Sequence, residues 1–269
     1  MKKQSIFGAL MSLVAMGVVF VSCTNVDNPY TPATPEAKYV VVKDSVVGSN
    51  GSVRVSSVEL DAEGKAVKET LTYYNEDGTA DQNVGVYTYG RDLITYELTQ
   101  SDGTTSTANF WLNDKGLVER YEDASYGVDV RFGYSDDGHV EKISTDDYAD
   151  SFVWQNGDVI SRTYGDLFAS YILTDYEIDF PFLMPYDIYD IVLSQYGYFG
   201  KATRHLISKL FYEVEDENGY ESGSQSFEYV VRNGLVKEFT NTIENVFTEN
   251  GANESVIYIE HHYLTWKKL

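Results

Sequence analysis

Phe132-Gly-Tyr-Ser-Asp-Asp-Gly138, continued by His139 and then Val140-Glu-Lys-Ile143, is the stretch that decides the fold. Phe132 and Tyr134 stand two residues apart, so in an extended chain both rings fall on one face. Asp-Asp-Gly then predicts a tight reversal, because glycine takes the positive φ that hairpin turns require. Val140 to Ile143 places charges among apolar residues again, as a returning strand does. The stretch reads as strand, turn, strand.

The same unit recurs along the chain. Further copies are Val58-Glu-Leu-Asp-Ala-Glu-Gly64, Leu71-Thr-Tyr-Tyr-Asn-Glu-Asp-Gly78, Tyr96-Glu-Leu-Thr-Gln-Ser-Asp-Gly103 and Phe110-Trp-Leu-Asn-Asp-Lys-Gly116. Phe152-Val-Trp-Gln-Asn-Gly157, Tyr212-Glu-Val-Glu-Asp-Glu-Asn-Gly219 and Phe227-Glu-Tyr-Val-Val-Arg-Asn-Gly234 complete the set. Successive hairpins of this kind predict an all-β chain, a long curved antiparallel meander of roughly 12 to 16 strands. So long a sheet must twist, and a β-sandwich or a barrel-like closure are the alternatives. Residues 38–180 contain no proline, as interior strands demand.

One segment breaks the rhythm. Between Asp175 and Leu210 the Asp-Gly punctuation stops, which marks a partly helical insertion at about 176–210. Ile188, Tyr189, Ile191 and Val192 suit a short helix within Tyr186–Tyr196, and Thr203–Leu210 is a second helix or strand candidate. An apolar insertion in a meander covers an open face or edge, as a core plug or as a lid. Tyr186, Tyr196 and Phe199 are its candidate ligand-binding rings. The remaining Tyr and Phe rows are read first as cross-strand packing.

The amino terminus has a different logic. Lys2 and Lys3 precede an apolar run from Ile6 to Val21, then Ser22 and Cys23, the signal-peptide pattern over residues 1–22. Cys23 is the single cysteine of the chain, so neither an internal disulfide nor a cysteine zinc cluster can form. Residues 24–37 hold Pro29, Pro32 and Pro35 with no hydrophobic period, an extended tether. The folded domain is expected over 38–269.

Charge and composition exclude several classes of function. Lys and Arg number 20 against 42 Asp and Glu, a net charge of −22, which opposes binding to nucleic acid. Hydrophobic residues make up 43%, enough for a core. Of the four histidines, His261 and His262 are adjacent in a strand and point to opposite faces, so they cannot share a metal. His139 follows a turn glycine and is expected to face solvent, while His205 is read as structural or surface. There is no His-Glu-x-x-His, no Gly-x-Ser-x-Gly and no phosphate-binding glycine loop, so no catalytic residue, metal or cofactor is nominated.

Phe20-Val-Ser-Cys23 resembles the lipobox of bacterial lipoproteins, with Phe20 where that pattern usually has Leu, Val or Ile. The resemblance implies that Cys23 carries diacylglycerol and an acylated amino terminus, and Thr24 after it implies the outer membrane. The hairpin punctuation looks like the YD-repeat sheets of bacterial shell-forming proteins. The order of lipobox, tether, Tyr-rich repeats, Val153-Trp-Gln-Asn-Gly-Asp158 and Tyr198-Phe-Gly-Lys-Ala-Thr-Arg-His-Leu206 resembles a Bacteroidota-type lipoprotein family of unknown function.

Together these readings lead to a non-enzymatic binding or scaffolding lipoprotein of the outer membrane. It is expected to face the periplasm, with the cell surface as the alternative, and to meet the membrane through its anchor. A glycan or an envelope protein is the expected partner. The alternative from another class is a glycan-acting hydrolase or carbohydrate-capture protein, with acids and aromatics near the insertion.

Overall fold

The computed structural model describes residues 38–165, 167–181, 190–216, 219–249 and 252–269. Cys23, the leader and the tether lie outside these residues, as does Tyr186. The first strands are β1 (Tyr39–Gly48), β2 (Val53–Leu60), β3 (Ala66–Tyr74), β4 (Ala80–Tyr89), β5 (Leu93–Thr99) and β6 (Thr105–Leu112). β7 (Val118–Asp123), β8 (Val128–Tyr134), β9 (Val140–Ser144), β10 (Ala149–Gln155), β11 (Asp158–Tyr164) and β12 (Leu167–Glu177) follow. After a short helix α1 (Ile191–Gln195) come β13 (His205–Asp216), β14 (Gly219–Arg232), β15 (Leu235–Glu249) and β16 (Ala252–Lys268).

Each strand pairs with its sequence neighbours, and β1 pairs antiparallel with β16, closing a barrel of 16 strands. Of the expected architectures, closure is the one adopted. It leaves no sheet edge to protect. The decisive stretch forms β8, a turn and β9: Gly138 takes φ 93, and Ser135 N donates to His139 O at 2.9 Å. Asn156 and Gly157 both take positive φ, the geometry of a two-residue hairpin.

Consecutive turns alternate between the two ends of the barrel. Residues 38 and 269 lie at the same end as the long β12–β13 connection, residues 178–204. We call this the plugged end and the other the far end.

The inner faces of the strands are mostly apolar, whereas the outer faces mix polar side chains with exposed apolar ones such as Val86, Val153, Ile160, Phe168 and Phe211. In β6, Ser106, Ala108 and Phe110 are buried, while Thr105, Thr107 and Trp111 between them are exposed. Rings from the inner faces of β4 to β10 meet Val192, Leu193, Phe199 and Ala202 of the connection in one continuous core. A second core joins Val41, Phe227, Val236, Phe239 and Leu264 to Ile178 and Phe180. Burying each such side chain stabilises the fold by about 1.5–3 kcal/mol. The insertion is therefore a core plug.

The outer wall also carries ion pairs. Arg120 grips Asp129 through Nε and Nη2 at 2.9 and 2.8 Å, and Lys68 reaches Glu59 at 2.6 Å.

Thr203–Leu210, a helix or strand candidate, contributes the start of β13 at His205. The expectation that His139 faces solvent is overturned. Its side chain is buried, with the ring 4.3 Å from that of Trp154 and Nδ1 3.1 Å from Asp137 Oδ2. Trp154 sits one hairpin further along, and it covers the imidazole.

Candidate functional site

The plug is held by its own cap and by the hairpin turns around it. Asp190 has extended φ and ψ, and its Oδ1 accepts from Leu193 N at 2.8 Å, an N-cap that starts α1. Three turn glycines turn their carbonyls to the plug. Gly64 O accepts from the Tyr196 hydroxyl at 2.8 Å, Gly138 O from Lys201 N at 2.9 Å, and Gly157 O from Arg204 N at 2.8 Å. Gln195 Oε1 accepts from Val41 N at 2.6 Å. Asp158 receives His205 N and Thr203 Oγ1 and pairs with His205 Nδ1 at 2.8 Å. His205 is thus a structural residue of the plug's exit.

The candidate rings of the insertion separate here. Phe199 is fully buried, edge-on to Phe110 at 6.1 Å and to Phe132 at 5.4 Å, so its ring is spent on the core. Tyr196 is half-buried under Lys38 Nζ, which lies 5.4 Å from the ring centroid.

Sequence reasoning missed a polar strip on the inner wall. Its first part joins barrel to plug: Tyr87 OH donates to Asp190 Oδ2 at 2.9 Å, while Ser56 Oγ and Tyr96 OH donate to Glu69 at 2.8 and 3.2 Å. Burial, reinforced by the charge of Glu69, pushes the Asp190 carboxyl up to about 7 against the bonds from Leu193 and Tyr87. Burial also raises Glu69, although Ser56, Tyr96, Tyr87 and the charge of Arg54 oppose it.

The second part surrounds His262. Its Nδ1 lies 2.9 Å from Asp44 Oδ2, its Nε2 3.6 Å from Glu260 Oε2, and its ring stacks on Phe239 at 4.0 Å. Burial alone would lower this imidazole, but the two carboxylates outweigh it and the net shift is upward. Glu260 moves down, because His262 and Arg54 overcome its burial. Asp44 Oδ1 and Asn241 Oδ1 are buried without a hydrogen-bond partner. His261, one residue away, faces outward to Thr240, as alternation requires.

Alternation along β1, β2, β3, β4 and β16 could have located this strip only once closure was known, since its members are scattered from Asp44 to His262. Asp190 ties the plug to the wall through Tyr87, and Glu69 stands beside it, bonded to Ser56 and Tyr96 of the wall.

No family model matches the chain, and no curated protein matches it. Among solved structures the chain is similar to a porin-like protein from Bacteroides uniformis ATCC 8492, with 16% identity, 87% of this chain and 99% of that chain covered, and a TM-score of 0.58. A porin-like protein from Bacteroides vulgatus ATCC 8482 is 12% identical over 85% of this chain and 99% of that chain, with a TM-score of 0.28. The first likeness concerns the fold: a barrel of this kind has been seen in a solved structure.

Proposed function

We propose that the chain is a lipid-tethered, non-enzymatic barrel of the outer membrane that binds or scaffolds a partner in the cell envelope. One observation carries this reading: the inner faces of the strands and the plug pack into continuous cores that fill the interior, while the wall outside mixes exposed apolar side chains with ion pairs. A barrel that spans lipid carries a continuous apolar band outside, and the Arg120–Asp129 and Lys68–Glu59 pairs interrupt the wall here. A conduit needs a lumen free of packed rings, whereas Phe110, Phe132 and Phe199 fill this one. Such a barrel stands in water and needs a tether, which the Cys23 lipobox and residues 24–37 would supply.

The tether enters at Lys38, at the plugged end, so the far rim points away from the membrane. Tyr74 and Tyr126 are 50% and 63% exposed there and are the rings offered to a glycan or an envelope protein. The test is palmitate incorporation by the wild type and the Cys23→Ser variant, with a photo-crosslinker at position 74 or 126 in cells. Label lost with Cys23 and a discrete crosslinked species support the reading. Label retained by Cys23→Ser, or ion conductance by the purified protein in a planar bilayer, would sink it.

A further inference from the structure

The outer wall at the plugged end contains a groove of a different electrostatic character from the rest of the chain. β15 leaves β16 at the Glu238–Tyr263 pair, whereas β16 continues along β1 to the Tyr39–Lys268 pair. The step leaves a groove of about 400 Å³ between the β14–β15 turn and the projecting β16–β1 ribbon. Lys43, Arg232 and Lys237 line it together with Ser45, Asn233 and Thr265.

Two irregularities aim these cations. The β1–β16 register shifts between Val41 and Lys43, and the β14–β15 register shifts so that Lys237 is the unpaired residue between Val236 and Glu238. Bulges of this kind redirect side chains. Among the described residues, the ion pair in the groove is Arg232 with Glu238 at 3.9 Å, and Lys43 and Lys237 have no carboxylate within 4 Å. Three cations around one carboxylate, in a chain of net charge −22, are a local reversal of sign. Lysines and a guanidinium converging with hydroxyl and amide donors are the chemistry that holds a phosphate.

We propose that this groove binds a phosphate-bearing group, with Lys43, Arg232 and Lys237 as its charge contacts and Ser45, Asn233 and Thr265 as neutral donors. The group comes from a free phosphate compound or from a phospholipid headgroup, since the groove lies at the end where residue 38 begins the fold. The inference goes beyond the tethered-scaffold reading and does not need it.

The test uses the full chain in dodecyl maltoside micelles, which carry no phosphate, with lysine acetylation rates read by mass spectrometry. Protection of Lys43 and Lys237 by added inorganic phosphate assigns a soluble ligand; protection on adding phosphatidylglycerol to the micelles assigns a headgroup. Lys142, on the opposite stretch of wall, should label at an unchanged rate. In calorimetry with inorganic phosphate, or with phosphatidylglycerol-containing micelles where that arm gave protection, Lys43→Gln/Lys237→Gln should bind roughly tenfold more weakly per charge removed, with its melting unchanged. Unchanged labelling in both arms, or equal binding by the double variant, overturns the proposal.

Discussion

The hydroxyl of Tyr87, on the inner wall of β4, donates to Asp190 Oδ2 at 2.9 Å, and the other oxygen of that carboxylate caps α1. One side chain of the plug therefore ties barrel wall to helix start, and it does so buried. Glu69 stands beside the same pair, and its charge is felt at Asp190. The joint is made by hydroxyl and backbone N–H donors converging on the two carboxyls.

Tyr87→Phe keeps the ring and removes the donor. Asp190 Oδ2 then loses its partner in a buried site, which costs about 1–3 kcal/mol. Urea unfolding should show that loss. A change below about 0.5 kcal/mol would mean that the bond contributes nothing net.

The pH dependence has a definite sign. Asp190 titrates near 7 in the folded chain against 3.8 ordinarily, so between these values the folded state holds a proton that the unfolded chain has released. Its contribution is full below about pH 3.8 and is lost as pH rises through about 7. Glu69, raised from 4.5, and His262, raised from 6.5, act in the same direction. Glu260, which is lowered, acts oppositely and loses its contribution as pH falls. The stability advantage of wild type over Asp190→Asn should shrink between about pH 4 and about pH 7. An advantage that is constant with pH, or grows, contradicts the assignment.

The hairpins were legible because Asp-Gly and Asn-Gly turns write their geometry into the sequence, as at Gly138 and Gly157. Turns without that signature were not. Thr145 to Tyr148 closes β9 onto β10 through a 3.0 Å bond, in a stretch with no turn glycine. Asp150, at its end, is buried in a bidentate pair with Arg162. Closure was left open among three architectures because the β1–β16 pairing joins opposite ends of the fold and no local pattern encodes it. For the same reason the polar strip was invisible, and so was the cover that Trp154 gives His139. The plug's bonds to Gly64, Gly138 and Gly157 use backbone carbonyls, which side-chain patterns do not reveal.

Gly85 faces the barrel interior under the ring of Tyr96, where an added Cβ would sit 2.1 Å from a ring carbon. Tyr96 is also bonded to Glu69, so it cannot swing away freely. Gly85→Ala should destabilise by about 1–3 kcal/mol through overpacking. Gly133→Ala is the control: its Cβ would meet Lys142 Cβ at an ordinary 3.5 Å. There the change should be neutral or stabilising by up to about 1 kcal/mol. Equal costs at the two sites would remove the argument from crowding.

Phe199 decides between two roles for the plug. If the ring served a ligand, Phe199→Ala would abolish binding and leave stability almost unchanged. Its burial against Phe110 and Phe132 predicts the reverse: a cost of about 3–5 kcal/mol, with faster amide exchange in β6 and β8, the strands it bridges. Tyr196→Phe removes only the bond to Gly64 O at the rim and should cost about 1 kcal/mol. The order matters more than either magnitude. A greater loss at Tyr196 than at Phe199 would mean that the plug is held by its rim bonds and that the buried ring contributes little to seating it.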